Sequence, residues 1–151
     1  MKKISEVLNH QIGIMGERGW DTIYVAVDWH DTMMKSTYTN SYGNYDLYPY
    51  ASEVLQWMTH NGNIRLILYT CSHDDQIRKF TEIMLDKHGI DFEFVNGNPE
   101  VQNTKTGNFD DKFYYNVLLD DKAGMNPHED WLDLKYNIPK AEQLLEHYDE
   151  L

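Results

Sequence analysis

Apolar residues in this chain come in two textures that alternate along its length. Ile23–Val27 (IYVAV) is a dense block rich in β-branched and aromatic residues, and that composition reads as a buried strand. Ile64–Tyr69 (IRLILY), Phe92–Val95 and Tyr114–Leu119 have the same character. Between these blocks the apolar residues are spaced as on one face of a helix. Ile4, Val7, Leu8, Ile12 and Met15 predict a leading helix through Met15, with Ser5 as a cap and Gly13, Gly16 and Gly19 weakening its end. A turn at Glu17–Asp21 follows. Pro49 opens a second helix, Tyr50 to about His60, ended by Asn61-Gly62-Asn63. Asp74 or Asp75 begins a third, running to about His88, with Ile77, Phe80, Ile83, Met84 and Leu85 on its apolar side and Gly89 as its stop.

The remaining segments are more polar. Thr32 is followed by a stretch with Tyr38, Tyr42, Tyr45, Tyr48 and the pair Gly43-Asn44, which reads as a loop or small hairpin. Asn96–Asp110, with Gly97, Pro99 and Gly107, reads as a long loop. Trp131–Leu134 is expected to form a short fifth strand, and Pro139 to open a last helix from Lys140 to Tyr148. Strands alternating with helices imply right-handed crossovers. The expected fold class is α/β, a three-layer α/β/α sandwich with a mainly parallel, Rossmann-like sheet. No repeat or linker divides the chain, so residues 1–151 are read as a single domain.

Charge and cysteine usage narrow the function. A formal net charge of −12 repels phosphate backbones, so nucleic acid is not expected as a non-specific partner. A phosphorylated small molecule then needs a local cation to enter. One cysteine, Cys71, rules out an internal disulfide framework and suits a reducing compartment. The N-terminal stretch is too polar for a signal peptide, and no run approaches a membrane span. A cytoplasmic location without a membrane partner is the expectation.

Candidate chemistry gathers where the dense blocks end. Ligands of open α/β sheets bind beyond the carboxyl ends of the strands. The first block ends in Asp28-Trp29-His30-Asp31-Thr32, the second in Thr70-Cys71-Ser72, and the fourth in Asp120-Asp121. Lys112 lies just before the fourth. Singly, each has a plain explanation: a turn Asp, a helix-capping Thr or Ser, a surface Lys. Together they match a sharper need. Carboxylates from adjacent strand ends make a hard oxygen site suited to Mg²⁺. A lysine and a hydroxyl beside it hold a phosphoryl group, and a carboxylate can attack phosphorus to give an acyl phosphate. His60, His73, His88 and His128 share no spacing with cysteines, so zinc has no support. Cys71 has no evident base and is read as a thiol packed beside the pocket, where it can touch substrate.

In these motifs and their order the chain resembles the haloacid dehalogenase superfamily of phosphohydrolases. The family pattern is an apolar strand with DxDGT, a strand ending in Thr or Ser, an upstream Lys, and a strand ending in paired acids. Asp28, Thr32, Thr70, Lys112, Asp120 and Asp121 occupy those positions over Ile23–Leu134. The resemblance implies a Mg²⁺-dependent phosphatase working through an aspartyl-phosphate. Asp28 is implied as nucleophile, Thr70 and Lys112 as catalytic groups that hold phosphoryl oxygens, and Asp28, Asp120, Asp121 and the backbone carbonyl of His30 as metal ligands. Thr32, with Thr70 and Lys112, is expected to contact substrate, and Cys71 is expected to do so from its place beside the pocket. About sixteen residues separate Thr32 from Pro49, too few for a cap domain, so the chain is similar to the small capless subgroup. An open site suits a bulky substrate or closure by a neighbouring subunit in a homo-oligomer. The departure is His30, which stands where the family has its second aspartate. His30 either takes over as acid–base, or serves different chemistry, or marks a protein that only binds and regulates. Receiver domains share a strand-end Asp, paired acids and a Lys, but their acid pair normally precedes the phosphorylated strand.

Overall fold

A computed structural model describes residues 3–36 and 45–137. Most of the tyrosine-rich stretch and the expected helix Lys140–Tyr148 lie outside the described residues. Within them, α1 (Ile4–Arg18) leads into β1 (Ile23–Asp28), followed by α2 (Ala51–His60) and β2 (Ile64–Tyr69). Then come α3 (Asp74–Ile83), a π-helical turn at Met84–His88, β3 (Phe94–Val95), β4 (Val117–Leu119), a 3₁₀ turn at Asp121–Ala123, and a helix over residues 130–137, here α4.

The strands form one four-stranded, all-parallel sheet in the order β3-β2-β1-β4. Helices lie on both sides of it. Ile23, Val25, Ala26 and Val27 are wholly buried, as expected for a central parallel strand covered on both faces. α1 packs on β1 and β4, and α2 on β2. Among the described residues no helix is long and apolar enough to cross a membrane.

Several elements depart from what local pattern predicts. α1 runs on to Arg18, because Ile12 and Met15 are buried and packing outweighs the low helix propensity of Gly13 and Gly16. Gly19, at φ 69°, then ends the helix in the left-handed region. Ser5 is not the cap of α1. Instead its N–H and hydroxyl both donate to the Asp133 carboxylate, each at 2.9 Å. In α3 the stripe holds through Ile77, Phe80 and Met84, but Leu85 is exposed, since the π turn shifts the residues after it around the axis.

The regular ladder of β4 starts only at Val117, because the Asn116 side chain accepts the Tyr24 N–H (2.8 Å) in place of a backbone carbonyl. The expected fifth strand at Trp131–Leu134 is helical instead. Trp131 and Leu134 are both buried, three residues apart, which is the spacing of a helix face and not of a strand. Asp130 opens that helix: its carboxylate accepts the Asn126 N–H at 2.7 Å.

Asp133 ties the start of α1 to α4 across the molecule. Asp133→Ala leaves the Ser5 N–H and hydroxyl without their acceptor, and it should lower unfolding free energy by about 1 kcal/mol. Urea denaturation of the two proteins measures this, with an unchanged midpoint as the contrary result.

Candidate functional site

Parallel register brings the functional residues to one edge of the sheet. Asp28 is the last residue of β1 and pairs with Tyr69, the last of β2. Val27 pairs with Leu119, so Asp120 leaves β4 beside Asp28. The chain then turns sharply after Asp28. Trp29 buries its ring against Phe80, with centroids 4.1 Å apart. Asp31 adopts φ 62°, its N–H donates to the Met34 carbonyl (2.8 Å), and its carboxylate accepts the Ser36 N–H (2.9 Å). A left-handed conformation strains any side chain, and Asp is among the residues that bear it best.

This turn places Thr32 beneath the acids. Thr32 is completely buried. Its hydroxyl accepts the Asp121 N–H at 2.9 Å and has one proton to offer either Asp28 Oδ2 at 3.0 Å or Asp121 Oδ1 at 3.1 Å. The Thr32 carbonyl in turn accepts the buried Trp131 indole N–H at 2.8 Å. Asp120 is nearly buried, and one of its oxygens accepts the Lys122 N–H at 2.9 Å.

Asp28, Asp120 and Asp121 therefore converge, each offering a carboxylate oxygen within 4.8 Å of the others. Crowding has a cost. Burial, then the charge of Asp120, pushes the Asp28 carboxyl up to about 7. The Thr32 hydroxyl works against that shift, and Asp121 adds to it. Three hard oxygen donors with uncompensated negative charge fit a small divalent cation, which would occupy the place of the proton that Asp28 retains.

A cavity of about 560 Å³ opens over Asp28 and Asp120, while Asp121 is not among the residues lining it. Asp28, Asp120, Thr70, Cys71 and Lys112 line it, so the structure unites the ends of β1, β2 and β4 with the lysine upstream of β4. Asn96 holds Thr70 from both sides: its amide donates to the Thr70 carbonyl (2.7 Å), and its oxygen accepts the Thr70 N–H (2.8 Å). Asn96 itself sits at φ 52°. The Thr70 hydroxyl lies 3.1 Å from that of Ser72.

Thr32 is wholly buried and hydrogen-bonds two of the acids. One expectation is corrected. Cys71 is exposed in the cavity and not packed beside it. His30 is not among the residues lining the cavity. Its ring stands edge-on to Trp29 (4.3 Å), and burial lowers its pKa, against the opposing pull of Asp31 and Asp121. Local reading passed over Lys122, Tyr69, Phe113 and Tyr115, which also line the cavity. Lys122 was legible as the residue directly after the paired acids. The aromatic residues carry no such signal, because alone each looks like core.

No protein-family model, curated protein or solved structure matches this chain.

Without a divalent cation, Asp28 makes stability fall as pH rises from about 4 to about 7. Across that window the native chain keeps a proton that the unfolded chain has released. Melting curves in chelator should show this decline, and Asp28→Asn should flatten it. Added Mg²⁺ should raise Tm at pH 8 and have little effect at pH 5, where protons compete for the same oxygens. A Mg²⁺ effect equally large at pH 5 would locate the ion elsewhere.

Proposed function

We propose that this chain is a Mg²⁺-dependent phosphohydrolase of the haloacid dehalogenase type. On this reading the parallel sheet with its helices is a capless three-layer sandwich, and the substrate is a phosphorylated small molecule. One observation carries the reading: Asp28, Asp120 and Asp121, distant in sequence, share one edge of the sheet with oxygens within 4.8 Å. Thr70 and Lys112 facing the same cavity add to it.

The chain's own groups suggest the following chemistry. Mg²⁺ held by Asp28, Asp120, Asp121 and the His30 carbonyl would neutralise phosphate charge. Asp28 attacks phosphorus in line, forming an acyl phosphate as the ester P–O bond breaks. The leaving oxygen takes a proton from solvent. Thr70, Lys112 and Lys122 hold the remaining phosphoryl oxygens as charge develops. Water then attacks the acyl phosphate, giving up a proton and releasing inorganic phosphate and the free Asp28 carboxylate.

His30 sets the balance between the two halves. Burial holds its imidazole below the ordinary value, so at neutral pH it is mainly the unprotonated base. That form suits activation of water better than protonation of a leaving alkoxide. A second reading therefore keeps its place: a protein of the same architecture that binds phosphate-bearing ligands with little or no turnover. The absence of His30 from the residues lining the cavity favours it.

Asp28→Asn should abolish Mg²⁺-dependent phosphate release while the circular dichroism spectrum and cooperative melting persist; retained turnover rejects the scheme. His30→Ala should cost about 10²–10⁴-fold in steady-state turnover, because the water that attacks the acyl phosphate loses its base. It should cost far less in the first step on an aryl phosphate with an acidic phenol, read as the burst of phenol release. A wild-type chain that binds phosphate with Mg²⁺ yet turns over neither ester is the binding protein of the second reading.

A further inference from the structure

Three aromatic side chains form one wall of the cavity beside the acids. Tyr69 pairs with Asp28 across β1 and β2, so the two side chains leave the sheet edge side by side. Tyr69 is 42% exposed, unusual for a large ring at the end of an otherwise buried strand. Its centroid lies 5.8 Å from that of Phe113, and Phe113 lies 5.8 Å from Tyr115. Lys112 extends over the Tyr115 ring at 5.8 Å. The intervening Tyr114 turns away to meet Tyr24 and Phe109, at 6.1 and 5.6 Å. The 113–115 segment thus presents two of its three rings to the cavity together with Tyr69.

The wall also continues past the acids. A second hollow of about 250 Å³ shares Lys112, Phe113 and Tyr115 with the first and ends at Phe109. The first cavity alone, at about 560 Å³, is larger than a phosphoryl group or a simple phosphorylated triose requires. Its lining combines acids (Asp28, Asp120 and Asp111), Lys112 and Lys122, and the three rings. A net charge of −12 disfavours a long polyanion, so the wall is matched to a compact ligand.

We propose that the wall of Tyr69, Phe113 and Tyr115 selects phosphate esters that carry a flat ring, of nucleoside monophosphate size, by stacking that ring while the phosphoryl group rests on the acid end. This rests on the phosphohydrolase reading for what happens at phosphorus, and on the wall alone for which ligand is held. Every base has a π-face, so stacking tolerates different bases and sets ligand class more than base identity.

Phosphonates, whose carbon–phosphorus bond the proposed displacement does not cleave, separate binding from turnover. Titration of the full chain in Mg²⁺ would compare methylphosphonate, phenylphosphonate and the methylene-phosphonate analogue of adenosine monophosphate. The adenosine analogue should bind at least about tenfold more tightly than methylphosphonate, the lower end of a base-stacking gain, with phenylphosphonate between them. Tyr69→Leu and Phe113→Leu should remove most of that preference and leave methylphosphonate affinity unchanged. Because Tyr69 is exposed, its variant should fold even if Phe113→Leu does not.

Equal affinities across the series, or a preference that survives Tyr69→Leu, overturn the ring wall, while hydrolysis of ring-free esters would leave the phosphohydrolase standing. Ring-selective binding with no ester hydrolysed supports the wall and rejects the phosphohydrolase. Should none of the three phosphonates bind, both fall. Phenylphosphonate matching the adenosine analogue retains the ring preference but assigns it to aryl esters and overturns the nucleoside size.

Discussion

Mutual repulsion among three carboxylates is the constraint around which this structure is arranged. Parallel strands start and end together, so residues that close neighbouring strands are brought to within a strand spacing of one another. Here that rule puts Asp28 beside Asp120, with Asp121 next in line. Burial first, and then the charge of Asp120, raise the pKa of Asp28. The surrounding structure holds the acids in place regardless. Thr32 takes the Asp121 N–H and shares its single proton between two carboxylates, and Trp131 anchors Thr32 by its carbonyl. A cluster kept together against its own charge is poised for a cation or a proton. The energy stored in such an arrangement is a common signature of function, and it is a cost to the fold.

The supports of that cluster come from every part of the described chain. α4 supplies Trp131 to the Thr32 loop and Asp133 to the start of α1. Trp29 and Phe80 stack behind the loop and link it to α3. Asn96, at the end of β3, clamps Thr70 by both its N–H and its carbonyl. Side-chain hydrogen bonds to backbone of this kind hold a loop more tightly than packing alone, because each has a preferred direction. The sheet edge therefore carries loops whose backbones are individually secured, and the residues facing the cavity inherit that order.

Charge and shape divide the cavity between them. Asp28, Asp111 and Asp120 bring acidic groups to it, and Lys112 and Lys122 bring ammonium groups. Because the chain as a whole is strongly acidic, these two lysines are a local exception whose value is greatest in a partly desolvated pocket. The rings beyond them offer area in place of charge. His30 sits at the junction in sequence but not in the cavity lining, and burial lowers its pKa.

Much of this was legible in the residues, and the limit has a physical cause. The dense blocks at 23–27 and 64–69 mark strands because a parallel sheet covered on both faces excludes polar side chains from its middle. Gly89 marks a helix end because a left-handed residue is needed there. Asp28, Thr70 and the pair at 120–121, with Lys112 upstream, stand out as a set, because ligands of open α/β sheets bind beyond the carboxyl ends of the strands. All of these depend on short-range chemistry. The helix over residues 130–137 did not stand out: a window of four residues, three of them apolar, fits either period, and only the burial of Trp131 and Leu134 against other elements chooses between them. The same holds for Thr32 as a buried strut, Cys71 as an exposed thiol, and the ring wall. Their roles are set by which residues, distant along the chain, the sheet brings next to them. Chain pattern determined the elements and the ionisable groups at their ends; tertiary packing alone decided which of those groups share a space, because proximity across strands is a property of register and not of local sequence.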